Sequence, residues 1–99
     1  MYVLEVLSGP LDGKTWEFEA EITIGRDEAV AAACITIDRY ISRKHARLHD
    51  DGGRLVLSDL SSRNGTQLAG RVVTASPLAL GERFTVGRTL LRVSRVEES

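Results

Sequence analysis

The sequence predicts an all-β fold, a sandwich or barrel assembled from many short strands. Three observations predict it. Apolar residues alternate with charged ones at period two, turn-forming residues interrupt the chain at close spacing, and only one short segment has a helical composition. At 99 residues the chain is expected to form one domain over its whole length, 1–99. Its hydrophobic fraction of 42% and charged fraction of 27% fit a soluble globular protein with a sizeable core.

Taken in order, Tyr2–Leu7 reads as the first strand and Ser8-Gly9-Pro10 as its turn. Trp16, Phe18, Ala20, Ile22 and Ile24 then fall on every second residue, with Glu17, Glu19, Glu21 and Thr23 between them. That pattern gives one strand, or two with a kink, with one buried face. Asp27–Cys34 carries an alanine run of helical propensity but is too short for a stable helix, so a loop with one turn is expected. Further short strands are expected at Ile35–Ile37, Ala46–Leu48, Leu55–Leu57, Arg71–Val73, Arg83–Val86 and Thr89–Val96. Asp50-Asp51-Gly52-Gly53, Asn64-Gly65, Gly70, Ser76-Pro77, Gly81 and Gly87 separate them as turns.

Bulk charge excludes one class of function. Thirteen Lys and Arg face fourteen Asp and Glu, a formal net charge of −1, whereas a general nucleic-acid binder carries a basic excess. The single cysteine, Cys34, excludes an internal disulfide or a cysteine-rich zinc site and suits a reducing compartment. The N-terminus lacks the basic and long apolar regions of a secretory signal, and no apolar run approaches the roughly 20 residues that span a bilayer. A cytoplasmic location, with no membrane contact, is therefore expected.

Several segments imitate chemistry. Gly9-Pro10-Leu11-Asp12-Gly13-Lys14-Thr15 looks like a phosphate-binding loop, but it has three residues between its glycines instead of four. A strand pattern also follows it where a helix is required, so a hairpin turn is expected. His45 and His49 have the spacing of a helical metal pair, yet in a strand they would stand roughly 13 Å apart. No metal and no cofactor is expected. Asn64-Gly65-Thr66 is formally a glycosylation sequon, which an intracellular location makes irrelevant. Ser42, His45 and Asp59 have the residue types of a hydrolase triad, but there is no Gly-x-Ser-x-Gly elbow and little chain to build a substrate pocket. The chain is expected not to be an enzyme.

Three polar clusters remain, each at a strand end. They are Gly25-Arg26, Ile41-Ser42-Arg43-Lys44-His45-Ala46-Arg47 and Asp59-Leu60-Ser61-Ser62-Arg63-Asn64-Gly65-Thr66. Residues 39 to 47 hold Arg39, Arg43, Lys44 and Arg47 and no acid, a concentration of positive charge in a chain of net charge −1. A phosphoryl group carries about −1.5 to −2 charges and three acceptor oxygens. Arginine grips it through paired N–H donors, serine adds an O–H donor, and asparagine offers an amide that can pair with a peptide backbone.

In order and spacing the clusters resemble the forkhead-associated (FHA) domain, whose motifs appear here as Gly25-Arg26, Ser42-Arg43-Lys44-His45, Ser62-Arg63-Asn64-Gly65-Thr66 and Gly81-Glu82-Arg83-Phe84. The resemblance covers roughly residues 2 to 95. It implies a two-sheet β-sandwich of about eleven short strands with functional loops at one end. It also implies a non-catalytic module that binds phosphothreonine peptides, with a phosphothreonine-containing protein as partner, such as a Ser/Thr kinase or its substrate. Some FHA-like domains instead dimerise or bind partners through the sandwich faces, independently of phosphate.

Carried over by residue, Arg26 resembles the arginine that contacts the phosphate, and Ser42 the serine whose hydroxyl and backbone do the same. Arg43 stands where the family often adds a phosphate donor. Asn64 resembles the asparagine that fixes the peptide main chain, and Arg63 beside it contacts peptide or phosphate. His45 resembles a structural histidine that ties the Ser42 loop to its neighbours. Gly25 and Gly65 read as backbone requirements, close packing beside Arg26 and a positive φ after Asn64. The family's small methyl pocket implies a preference for threonine over serine. The chain departs from the family in its longer, more apolar Asp27–Cys34 loop and in Ala69, which stands where many members have asparagine in a turn. Tyr40 stands where family members select residues C-terminal to the phosphothreonine.

Overall fold

The computed structural model describes residues 1–97. Eleven strands run in chain order: β1 (Tyr2–Val6), β2 (Thr15–Phe18), β3 (Glu21–Gly25), β4 (Ala33–Cys34), β5 (Ala46–Asp51), β6 (Arg54–Asp59), β7 (Thr66–Leu68), β8 (Arg71–Val73), β9 (Ala75–Pro77), β10 (Arg83–Val86) and β11 (Thr89–Arg95). They form a sandwich of two sheets, in the orders β2-β1-β11-β10-β7-β8 and β4-β3-β5-β6-β9. Every pairing is antiparallel except the short β3–β4 contact.

The period-two pattern explains the packing. Leu4 and Val6, Ile22 and Ile24, Leu55 and Leu57, Phe84 and Val86, and Leu91 and Val93 all point into one core. Their alternates carry the polar side chains outward. Tyr2 stacks on Phe18 with ring centroids 5.1 Å apart.

The long alternation from Trp16 to Ile24 is indeed two strands. The chain bends at Glu19–Ala20 and passes from one sheet to the other, so Ala20 is exposed instead of buried. Two further expectations are corrected. Ile35–Ile37 is not a strand, because the pairing with β3 is made two residues earlier, at Ala33–Cys34. Ser76-Pro77 lies within β9 instead of forming a turn; β9 is an edge strand, where a missing N–H is tolerated. The Asp27–Cys34 segment does contain one turn, closed by the Val30 and Ala31 amides on the Asp27 carbonyl, with Ala31 and Ala33 buried beneath it. The near P-loop at Gly9–Thr15 is the β1–β2 hairpin turn.

Strand register places the loops. Ile24 pairs with Ala46, and Ala46 with Asp59, so the end of β3, the start of β5 and the end of β6 lie side by side. In the other sheet Val86 pairs with both Thr66 and Thr89. The β3–β4, β4–β5, β6–β7 and β10–β11 connections therefore share one pole of the sandwich. Met1 and Val96 meet at the opposite pole, where the Val96 amide donates to the Met1 carbonyl at 2.9 Å.

Candidate functional site

A cleft of about 190 Å³ opens on the loop pole, lined by Arg26, Arg39, Tyr40, Ser42, Arg43, Arg63 and Asn64, with Ile41. The five residues expected to bind a phosphopeptide are thus brought together from three loops. Among the described residues no acidic side chain lines the cleft.

Each residue is held in a way that leaves part of it free. Arg26 follows the last residue of β3. Its amide donates to the Ser42 and Arg43 carbonyls at 3.0 and 3.1 Å. Its Nε donates to the Ile41 carbonyl at 3.0 Å. A guanidinium has five N–H donors, so the four on its terminal nitrogens remain for an anion. Gly25 makes this possible: a Cβ there would stand 2.0 Å from the Arg43 carbonyl oxygen. That oxygen is the one the Arg26 and Asp27 amides bind. Cys34 sits behind the same backbone and points its Sγ at the Arg26 carbonyl, 3.5 Å away. Burial, together with Glu28 and Asp27 nearby, pushes its thiol above the ordinary range, so it stays protonated and a poor nucleophile.

His45 organises the loop that follows. It is fully buried, and its two ring nitrogens bind two different loops. The Ser42 amide donates to Nδ1 at 2.9 Å, and Nε2 lies 2.8 Å from the Gly65 carbonyl. A nitrogen that accepts an N–H carries no proton, so the ring is the Nε2–H tautomer and donates to Gly65. Its carbonyl accepts the Leu60 amide as well. The Ser42 amide is thereby committed. The Ser42 hydroxyl accepts the Arg63 amide at 2.9 Å and keeps its own proton to donate. His45 faces neither the Ser42 hydroxyl nor a substrate cleft, and Asp59 is engaged elsewhere, so these three residues are not arranged as a catalytic relay.

Asn64 donates one amide proton to the Tyr40 carbonyl at 2.8 Å, leaving its other N–H and its oxygen for a peptide main chain. Gly65 follows with φ 82, a left-handed conformation that its lack of a side chain makes inexpensive. The turn is fixed from below. Asp59 accepts from the Ser62 hydroxyl and the Thr66 hydroxyl, and from the Ser62 amide at 3.0 Å. The Ser62 hydroxyl in turn accepts the Gly65 amide at 2.9 Å. Burial alone would raise the Asp59 carboxyl, but these three donors outweigh it and hold the group below its ordinary range.

Two anchors escaped the sequence reading in this role. In sequence Asp59 reads as a triad member and as the first residue of the third polar cluster, not as the anchor of its turn. Asp38 was not singled out, yet it joins two loops. Its carboxylate accepts the Tyr40 amide at 2.9 Å on one oxygen, and the Arg88 amide and Thr89 hydroxyl at 2.8 and 2.7 Å on the other. Its position just before the basic run was the only available signal.

An all-β sandwich whose loops converge on a cationic, acid-free cleft defines a recognition module that reads a ligand on its loop pole. Comparison with known proteins gives the family. The model of the FHA domain matches residues 22–87, and the chain belongs to that family, which is known for phosphothreonine-peptide recognition modules. Among solved structures, the FHA domain of the CT664 protein from Chlamydia trachomatis is 27% identical with a TM-score of 0.87, over 97% of this chain and 98% of that one. An FHA domain solved in a study of phosphothreonine-dependent interactions is 28% identical with a TM-score of 0.83, over 98% of both chains. The FhaA FHA domain, solved in complex with the intracellular domain of Rv3910, is 30% identical with a TM-score of 0.81, over 94% of this chain and 99% of that one. No curated protein gives a significant sequence match.

Proposed function

We propose that this chain is a non-catalytic phosphothreonine-peptide binding module that serves as an adaptor in Ser/Thr kinase signalling. Its partner would be a phosphothreonine-containing protein, either a kinase or a kinase substrate. The observation that carries this reading is the Arg26 side chain, braced on the Ile41 carbonyl through Nε with its terminal N–H groups left over. The phosphate would sit on those donors and on the Ser42 hydroxyl, with Arg43 and Arg63 adding charge from the cleft walls. Asn64 would hold the peptide backbone. The phosphothreonine-dependent neighbour supports a phosphorylated ligand, and the FhaA complex with an intracellular domain supports a protein as partner. A cytoplasmic location is part of the proposal and is supported by the free thiol of Cys34.

Charge-assisted hydrogen bonds contribute about 1.5–3 kcal/mol each, so Arg26→Ala is expected to weaken phosphopeptide binding tenfold or more. The test is titration of one peptide in phosphothreonine, phosphoserine and unmodified forms. Binding in that order of strength is expected. Equal affinity for all three, or an Arg26→Ala variant that binds as tightly as the parent, overturns the reading.

A further inference from the structure

Two features lie outside the phosphate cleft, the turn in the Asp27–Cys34 loop and a hollow at the opposite pole, and they are complementary in shape and charge. The turn makes a knob. Asp27 fixes it twice: its Oδ1 accepts the Ala29 amide at 2.9 Å, and its carbonyl accepts the Val30 and Ala31 amides at 3.1 and 3.0 Å. Ala31 and Ala33 anchor it in the interior. The tip, Glu28-Ala29-Val30, stands in water, with Val30 49% exposed. Asp27 and Glu28 share a recess with Arg26 and Arg43 but pair with neither. The tip is therefore an exposed apolar side chain preceded by two acids, on a turn already ordered for contact.

The hollow, of about 280 Å³, lies at the pole of the chain ends. Tyr2, Leu55 and Leu78 are its buried apolar floor, and Leu80, 48% exposed, stands at its rim. Arg54 and Arg95 complete the lining and make no ion pair among the described residues. Arg95 lies over the Tyr2 ring, 5.6 Å from its centroid. Asp50 spends one carboxylate oxygen on the Tyr2 hydroxyl and the other on the Gly53 amide. Asp51 opposes Arg54 across the β5–β6 hairpin without pairing with it. Glu19 and Glu97 border Arg95 in a neighbouring recess, so Arg54 is the less shielded cation.

We infer that the Glu28–Val30 tip of one copy docks in the Arg54–Arg95 hollow of another, with Val30 on the apolar floor and Glu28 against Arg54. Charge complementarity selects the occupant: an apolar floor under unpaired arginines fits an apolar side chain carried beside acids, which is what this chain presents at its other pole. Knob and hollow sit on opposite poles, so the contact is heterologous. Copies then add head to tail along the 38 Å axis, and the array stays open instead of closing as a two-fold dimer. Such an array differs from pairing through the sandwich faces and does not depend on phosphothreonine recognition. One side chain and one ion pair bury far less than the roughly 1,200 Å² of a stable interface, so the contact is weak and shows itself at high concentration.

The test is sedimentation of the full chain from about 20 µM to about 1 mM. The weight-average mass is expected to rise continuously, to about twice the monomer mass at the upper end, and to fall back when salt screens the charges. Val30→Asp, Arg54→Glu and Glu28→Arg should each remain monomeric throughout, with the thermal midpoint of the parent. An equal mixture of Glu28→Arg and Arg54→Glu is expected to recover the assembly that each lacks alone, because the reversed charges again meet their opposites. A monomer at every concentration overturns the proposal. So does a plateau at the dimer mass, which would mark a two-fold contact, or an assembly that survives Val30→Asp or Arg54→Glu. A mixture that stays monomeric overturns the pairing of Glu28 with Arg54. None of these outcomes bears on phosphopeptide titration, so this proposal and the phosphothreonine reading fail separately.

Discussion

The two poles of the sandwich are built from the same kinds of turn and held by different kinds of bond. At the pole of the chain ends, the side chains that fix turns reach only three residues. Asp50 accepts the Gly53 amide and Glu82 accepts the Ala79 amide, with the Tyr2–Asp50 bond as the long-range exception. At the loop pole bonds of that reach, such as Asp59–Ser62 and Ser62–Gly65, are joined by others that span the chain. Asp38 reaches Arg88 and Thr89, Asn64 reaches Tyr40, Arg63 reaches Ser42, and His45 joins Ser42 to Gly65. A turn closed by its own side chain is independent of its neighbours. Loops closed on one another share their geometry, so disturbing one displaces the ligand-facing groups of the others.

The strongest way to break this contrast is His45→Ala. It empties a fully buried site and leaves the Ser42 amide and Gly65 carbonyl without partners. A loss of about 3–5 kcal/mol is expected by urea titration. Glu82→Ala at the other pole should cost well under about 1 kcal/mol. Equal losses would erase the distinction between the poles.

Gly25→Ala comes next. The new methyl must push away the Arg43 carbonyl, an overpacking cost of about 1–3 kcal/mol. Because that carbonyl also holds Arg26, phosphopeptide affinity should fall tenfold or more even where the variant remains folded. Calorimetric titration below its Tm separates the two effects.

Acid sharpens the comparison further. The Asp59 carboxyl is depressed in the folded chain relative to its usual 3.8. The stability it contributes is therefore complete above that value and is lost as pH falls below 3.8 through the lower folded value. Asp59→Asn should start less stable near neutral pH and lose less on acidification, as read from urea midpoints between pH 5 and 2.

The smallest effect lies in the β7–β8 turn. Ala69 has φ 52, a left-handed conformation that costs a side chain with no compensating hydrogen bond. Ala69→Gly or Ala69→Asn should raise stability by up to about 1 kcal/mol without altering peptide affinity. A fall in thermal midpoint would contradict it.

These contrasts also explain what the sequence made legible. The strands that supply the core announce themselves by alternation, as Trp16 to Ile24 does. Thr66–Leu68 and Ala75–Pro77 do not, because the first directly follows the Asn64-Gly65 turn and the second contains Ser76-Pro77, so turn residues hide them, and their extension is imposed by β10 and β6. Ala33–Cys34 reads as part of a loop, since only the parallel contact with β3 makes it a strand. In the site, Arg26, Ser42 and Asn64 were legible through spaced motifs. Asp38 was not, because its value lies in amides fifty residues away that no local pattern connects to it.

The pairing of Met1 with Val96 has a practical consequence. Both ends of the described chain leave the sandwich at the pole away from the loops, and the molecule is 38 Å long on its principal axis. Anchoring either end to a sensor surface should therefore present the loops outward, unobstructed by the support. The domain is in effect a probe with its handle at the back.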